Sequence, residues 1–374
     1  MSAWIDRDTR ILVTGGAGFI GSHLANTLVE RGYTVRALDS LKPQVHGADA
    51  QWPAYLRPEV ERHDADIRDR DALRKALAGI THVYHFAAAV GVGQSMYEIE
   101  HYTDVNNRGT AILLEELIKQ PVQRLIVASS MSVYGEGMYR VGNSIREPRP
   151  RSREQLSRAE WDLRDGAEVL EPMPTPETKH VAPSSVYALS KLDQEQLCLM
   201  FGAAYQVPTV ALRFFNVYGP QQSLSNPYTG VLAIFAARIL NGNAPLIFED
   251  GLQQRDFVSV WDIAQACRLA LTTKATGEVF NIGSGDSRTV LEIARSITEA
   301  LNASAEAVVT GKYRIGDIRH CFADIDKARH LLGYEPRVKF EDGLLELAEW
   351  LSRTSATDNF LHAASELDRR GLTI

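Results

Sequence analysis

The sequence predicts an α/β protein: a doubly wound parallel sheet with a smaller α/β lobe toward the C-terminus. Two observations carry this. Short β-rich runs, ILVT (11–14), TVRALD (34–39), HVYHFA (82–87), RLIVAS (124–129) and TVALRF (209–214), alternate with helical patterns over the first half of the chain, as parallel strands joined by crossover helices do. The first run also opens onto a glycine-rich turn, GGAGFIG (15–21), with a helical repeat beyond it. At 374 residues the chain can bury a sizeable core in one large domain or two unequal ones.

Taken in order, Leu24 and Leu28 repeat at helical spacing and Gly32 follows as a C-cap, so the first two runs close a β-α-β unit. Residues 109–119 and 186–206 read as amphipathic helices. Between them, 138–183 breaks the alternation. It holds six of the 15 prolines, and its eight Lys or Arg balance eight Asp or Glu, so it is a surface excursion. Two readings stay open for it: a solvated insertion, or a lid over the substrate. From 220 onward, helices near 230–241, 261–273, 289–302 and 341–353 and strands near 246–248 and 279–282 make the smaller lobe. The expected division is therefore 1–215, 216–353 and a polar tail, 354–374.

Composition narrows the function. With 45% apolar and 23% charged residues and no apolar run of 18 or more, the chain has no membrane span, and a cytoplasmic location is expected. A net charge of -7 argues against a nucleic-acid partner. Cys198, Cys267 and Cys321 lie far apart with no CxxC spacing, which argues against a disulfide framework or a metal site.

The turn itself carries chemistry. Glycine is needed where backbone approaches a pyrophosphate and where the next helix packs close to the strand, and the helix N-terminus attracts the anion. Gly15, Gly18, Phe19, Ile20 and Gly21 are the expected contacts of a dinucleotide on a Rossmann-type sheet. Asp39 stands 18 residues past Gly21 at the end of the second strand, where a carboxylate accepts hydrogen bonds from the adenosine ribose. That favours NAD over NADP, with Arg36 nearby leaving NADP open and a plain turn role for Asp39 as the alternative.

Tyr187 and Lys191 sit four apart on a predicted helix and so share a face. Upstream stands VASSMSVYG (127–135); downstream stands RFFNVYGPQ (213–221). With these motifs in this order, residues 10–350 resemble the extended short-chain dehydrogenase/reductase family, the sugar-nucleotide epimerases and dehydratases. The resemblance implies that Tyr187 is the acid/base, Lys191 its electrostatic partner and ribose ligand, and Ser130 the hydroxyl that holds the sugar oxygen. It implies cofactor contacts at Asp66, Ile67, Phe86, Ala87, Ala88 and Asn106. Substrate contacts follow at Ser132, Asn216, Phe248, Arg255 and Arg319, the arginines gripping a diphosphate through guanidinium forks; a structural salt bridge is the alternative for each arginine. A homodimer through 109–119 and 186–206 is the family expectation.

Within the family, the dehydratases carry Asp and Glu after the catalytic hydroxyl residue, and here Met131 and Ser132 stand there. Decarboxylating members carry a Glu, and 3,5-epimerising members a Cys, at that spot. Elimination leaves a 4-epimerase acting through a transient 4-keto sugar. AAAVGVGQSMYEI (87–99) and LIFEDGLQQRDFV (246–258) look like the members that act on dTDP-6-deoxyhexoses, and Val90 replaces a Lys frequent in galactose epimerases, with a UDP-hexose as the other choice. A decarboxylase or dehydratase drawing a carboxylate from elsewhere, such as Glu136, is one alternative. A non-catalytic NAD sensor or scaffold is the other.

Overall fold

A computed structural model describes residues 8–314 and 316–373. Its frame is a seven-stranded sheet built from β1 (Arg10–Thr14), β2 (Thr34–Asp39), β3 (Glu61–Asp64), β4 (His82–His85), β5 (Arg124–Ser130), β6 (Thr209–Phe214) and β7 (Glu278–Ile282). The spatial order is β7-β6-β5-β4-β1-β2-β3, and every pairing is parallel. Strand order therefore reverses between β1 and β4, and a ligand crevice opens at such a reversal beyond the carboxyl ends of the strands. Central strands are buried on both faces: Ile11, Val13, Ile126 and Leu212 pack into one layer, Leu12, Val83, Leu125 and Val127 into the other.

The helices that frame the crevice are α1 (Phe19–Glu30), α2 (Gly109–Lys119), α3 (Val186–Tyr205) and α4 (Val260–Thr272). The position of α3 is fixed by a buried pairing. Arg213 on β6 reaches Glu195 with two nitrogens at 2.9 and 2.7 Å, and Ser129 on β5 donates to the same carboxylate at 2.6 Å. This locks the register of α3 against the ends of β5 and β6.

The sequence expectation fails at three places in this frame. First, β3 (ERHD) carries no apolar residue, so no period-2 signal marks it; as an edge strand it pairs only with β2. Second, the run near 279–282, expected in the smaller lobe, is β7, the far edge of the large sheet. The helix before it, α4, packs on α1 and sends Ala266, Cys267 and Ala270 into the core of Ile11 and Val13, and Cys321, Ala323, Ile325 and Leu332 join them. A single division at 215/216 is thus replaced by repeated crossings, because β6 needs a partner and that partner lies further along the chain. The smaller lobe packs helices Val231–Leu240, Val290–Ala300 and Phe340–Leu351 around Phe235, Ile247, Ile293 and Leu347. Third, the polar tail contains a further helix, α5 (Phe360–Arg369).

The excursion 138–183 is folded. Met138–Val141 pairs antiparallel with Ser144–Arg146 and Glu171–Met173, over a small core of Tyr139, Leu163 and Leu170. None of its residues lines the crevice. It grips the smaller lobe through Arg151 on Glu249 at 2.9 Å. Cys198, Cys267 and Cys321 are all buried. Among the described residues no helix is long and apolar enough to cross a membrane.

Candidate active site

The crevice is a cleft of about 890 Å³ between the sheet and the smaller lobe. At its sheet end the chain leaves β1 through Gly15, whose φ of +72° suits glycine and where a Cβ would lie 2.9 Å from the Ala87 nitrogen. A Cβ on Gly21 would overlap the Gly15 carbonyl oxygen, and one on Gly16 would meet the Ala37 side chain at 2.5 Å. The glycines thus let α1 start hard against β1, with its N-terminus at the cleft. Asp39 closes the turn: its carboxylate accepts the N–H of Ala17 and of Leu41, each at 3.0 Å. Arg36 turns away, to Glu61 (2.8 Å) and the carbonyls of Ala76 (2.6 Å) and Ala78 (3.0 Å), so it offers no charge for a 2′-phosphate.

Gly18, Phe19, Ile20, Asp66, Ile67, Phe86, Ala87 and Ala88 line the same end. Asp66 is steadied by Arg68 at 2.6 Å, which holds its carboxyl below the usual range. Asn106 does not line the cleft. It is fully buried behind the wall, where its amide takes the N–H of Ala89 (2.7 Å) and donates to the Ala89 carbonyl (3.0 Å) and the Ser190 hydroxyl (2.8 Å). It therefore shapes the loop after β4 and ties it to α3.

Where β5 ends, Ser130 lines the cleft together with Tyr187, which stands on the first turn of α3. Ser185 caps that helix, accepting the Ala188 N–H at 3.1 Å, and the Tyr187 N–H goes to Ser95 at 3.0 Å. Ser132 donates to the Ser130 hydroxyl at 2.9 Å. Lys191, one turn on, is almost fully buried and donates to Gln194 at 2.6 Å; Gln194 in turn donates to Thr110 at 2.9 Å. Burial pushes the Tyr187 phenol up and brings the Lys191 ammonium down to about 8. Behind them His85 is sealed between the hydroxyls of Thr14 (2.9 Å) and Thr110 (2.8 Å), and burial drives it down to about 3, so it stays neutral.

At the far end, Asn216, Phe248 and Arg255 line the cleft as expected. Arg255 leans on the carbonyls of Ile318 and Arg319. The Arg319 side chain is elsewhere. It is 1% exposed and pairs with Asp250 (2.6 Å), Asp162 (2.9 Å) and Glu249 (3.2 Å), a buried cluster that does not line the cleft. Three neighbouring acids outcompete the cleft for its charge, and QQRDF and GDIRH give no sign of which arginine they claim. Sequence reasoning missed Arg314, which lines the cleft 4.9 Å over the Phe248 ring. The carboxylates lining the cleft are Asp39, Asp66 and Asp317. Glu136 is not among them; it accepts the backbone N–H of Arg319 at 2.8 Å and the Tyr139 hydroxyl at 3.0 Å.

A model of the NAD dependent epimerase/dehydratase family matches residues 11–283. The chain belongs to that family. It is 36% identical over 373 residues to the dTDP-L-rhamnose 4-epimerase of Burkholderia thailandensis, across 96% of each chain. Among solved structures, the UDP-glucose 4-epimerase of Thermotoga maritima with UDP-glucose matches at TM-score 0.75 and 32% identity, over 92% of this chain and 99% of that one. The UDP-glucuronic acid 4-epimerase of Bacillus cereus, solved with UDP-glucuronic acid and NAD, matches at 0.74 and 30%, with the same coverage. The cradle here fits NAD, the family's cofactor: backbone is bare where a Cβ would intrude, and the Asp39 carboxylate lines the cleft beside the glycine turn.

Proposed function

We propose that this chain interconverts the C4 epimers of a nucleoside-diphosphate sugar with an NAD that it keeps between turnovers. One observation carries the reading: Ser130 and Tyr187 line the cleft together with Lys191 one turn behind, and Met131 and Ser132 follow Ser130 where a second acid or base would stand.

Gly15, Gly18, Phe19, Ile20, Gly21, Asp39, Asp66 and Ile67 would hold the dinucleotide, with Phe86, Ala87 and Ala88 along its path to Tyr187. When bound, NAD supplies a place for hydride to leave to and return from. Tyr187 takes the C4 hydroxyl proton and later gives it back, while Ser130, oriented by Ser132, holds the sugar oxygen. Burial alone leaves the Tyr187 phenol neutral at pH 7; positive charge nearby, from the Lys191 ammonium and an oxidised cofactor, opposes that and favours the phenolate. Arg255, Asn216 and Arg314 suit a diphosphate, with Phe248 beside it.

Loss of water or carbon dioxide calls for a further acid or base. Met131 and Ser132 cannot serve, and Glu136 is committed behind the wall. An intact Ser130, Tyr187 and Lys191 set also speaks against a sensor or scaffold. A dTDP-6-deoxyhexose is the first substrate to try, on the strength of the Burkholderia relative. Incubated without added NAD, the protein should convert one of dTDP-L-rhamnose, UDP-glucose and UDP-glucuronate to its C4 epimer, read by chromatography. Inactivity on all three, carbon dioxide release, or a stable 4-keto-6-deoxy product refutes the reading. Tyr187→Phe should cut turnover by roughly 100-fold or more with NAD still bound.

A homodimer through α2 and α3 is part of the same proposal, since Ile118, Leu189 and Met200 are 44%, 49% and 59% exposed there. Leu189→Asp with Met200→Glu should then give a monomer in sedimentation. Three unpaired, buried cysteines suit a protein of the reducing cytoplasm.

A further inference from the structure

Helix α5 lies beyond the last motif, yet it forms a wall of the cleft. Its sequence FLHAASELDR puts Phe360, Ala363, Ala364 and Leu367 on one stripe, at i, i+3, i+4 and i+7. All four line the cleft. The helix is held from both sides. On the smaller lobe, Arg238 lies 5.1 Å over the Phe360 ring and pairs with Asp358 at 3.1 Å, while Phe360 sits 6.4 Å from Phe248. On the sheet side, a methyl placed on Gly93 would come within 3.3 Å of Leu367, and Arg370 stacks 4.2 Å over Tyr97, whose hydroxyl meets that of Tyr228 at 2.6 Å. The loop so contacted is the one whose Ser95 takes the Tyr187 N–H.

The helix therefore runs from the Phe248 and Arg314 end of the cleft toward the Tyr187 end. Along it two large side chains bracket two alanines. Ala363 is buried, and Ala364 is the half-buried member, leaving a recess on the cleft face between Phe360 and Leu367.

We propose that α5 sets the size of the sugar that the cleft admits, with Ala364 as the specificity-determining residue. The proposal rests on the nucleotide-sugar reading above. Filling the recess takes room from the sugar and leaves the nucleotide end and the glycine turn untouched, so binding of the sugar nucleotide and of the bare nucleoside diphosphate should separate. An overpacked site loses about tenfold or more in affinity.

The test is calorimetry on full-length protein carrying its NAD, with dTDP-L-rhamnose against dTDP and UDP-glucose against UDP, using whichever pair the wild type binds more tightly. Ala364→Phe should weaken the sugar nucleotide by about tenfold or more, change the bare diphosphate by less than about twofold, and keep the NAD content and melting temperature of the wild type. Ala364→Ser, which keeps the recess, should bind like the wild type. Leu367→Ala, which widens it, should shift the preference toward the bulkier sugar. Equal weakening of both ligands by Ala364→Phe, or no weakening, overturns the proposal. So does equal weakening by Ala364→Ser. A wild type that binds neither sugar nucleotide overturns the nucleotide-sugar reading itself, a different failure from the wall alone being wrong.

Discussion

Arg319 and Arg255 look alike in sequence, yet of the two only Arg255 lines the cleft, so Arg319→Leu is the most diagnostic substitution. The guanidinium of Arg319 is 1% exposed and meets both oxygens of Asp250, at 2.6 and 2.8 Å. Breaking a buried pair by removing one partner costs about 3–5 kcal/mol. The low end applies here: Glu249 keeps Arg151 at 2.9 Å, and the Asp250 and Asp162 side chains are 29% and 49% exposed and can rehydrate. A loss of about 3 kcal/mol should lower the urea midpoint by about 1 M. The KM for the sugar nucleotide should stay within about twofold, because Arg255 leans on backbone carbonyls of 318 and 319 that the substitution leaves in place. Arg255→Leu should do the reverse, raising KM by about tenfold or more through loss of a charged hydrogen bond while moving the midpoint less. An Arg319→Leu protein with a wild-type midpoint and an elevated KM would refute the assignment.

Gly21→Ala should yield protein with little or no NAD after purification, measured by absorbance of the released cofactor, because its Cβ would overlap the Gly15 carbonyl. For NAD-free protein, Lys191→Met should be stabilising in a pH-dependent way. The folded Lys191 titrates at about 8 against 10.5 ordinarily, a cost of about 3 kcal/mol when charged. Between pH 8 and 10.5 the unfolded chain holds the extra proton, so wild-type stability rises with pH there. The variant's advantage at pH 7, about 2 kcal/mol after loss of the Gln194 hydrogen bond, should fade toward pH 10.5; a constant advantage in urea unfolding refutes the buried charge. Asp39→Ser should narrow the preference for NAD over NADP in binding titrations, since the carboxylate is what disfavours a 2′-phosphate and Arg36 is already occupied. An unchanged preference counts against that role.

Elements whose signal is local were readable in the sequence. The glycine turn, Asp39 and the four-residue spacing of Tyr187 and Lys191 depend on neighbours in the chain, and the fold brings them to one cleft. Features set by distant partners were not readable. Whether Arg319 faces a phosphate or three acids depends on Asp162 and Glu249, far away in sequence. β3 owes its strand to β2 rather than to its own ERHD, and α5 looks like a charged tail until its apolar stripe meets Gly93 and Phe248.

The late arrival of β7 bears on how the chain is made. β6 pairs with β5 on one side and waits, on the other, for a strand that follows residues 215–277. On the ribosome its outer edge, with Val210, Leu212 and Phe214, stays open until residue 282 has emerged. An unpaired apolar edge recruits other strands. A fragment ending near 215 should therefore aggregate although it contains the glycine turn and Tyr187, and the sheet can be sealed before the smaller lobe is complete, because Val290–Ala300 and Phe340–Leu351 follow β7.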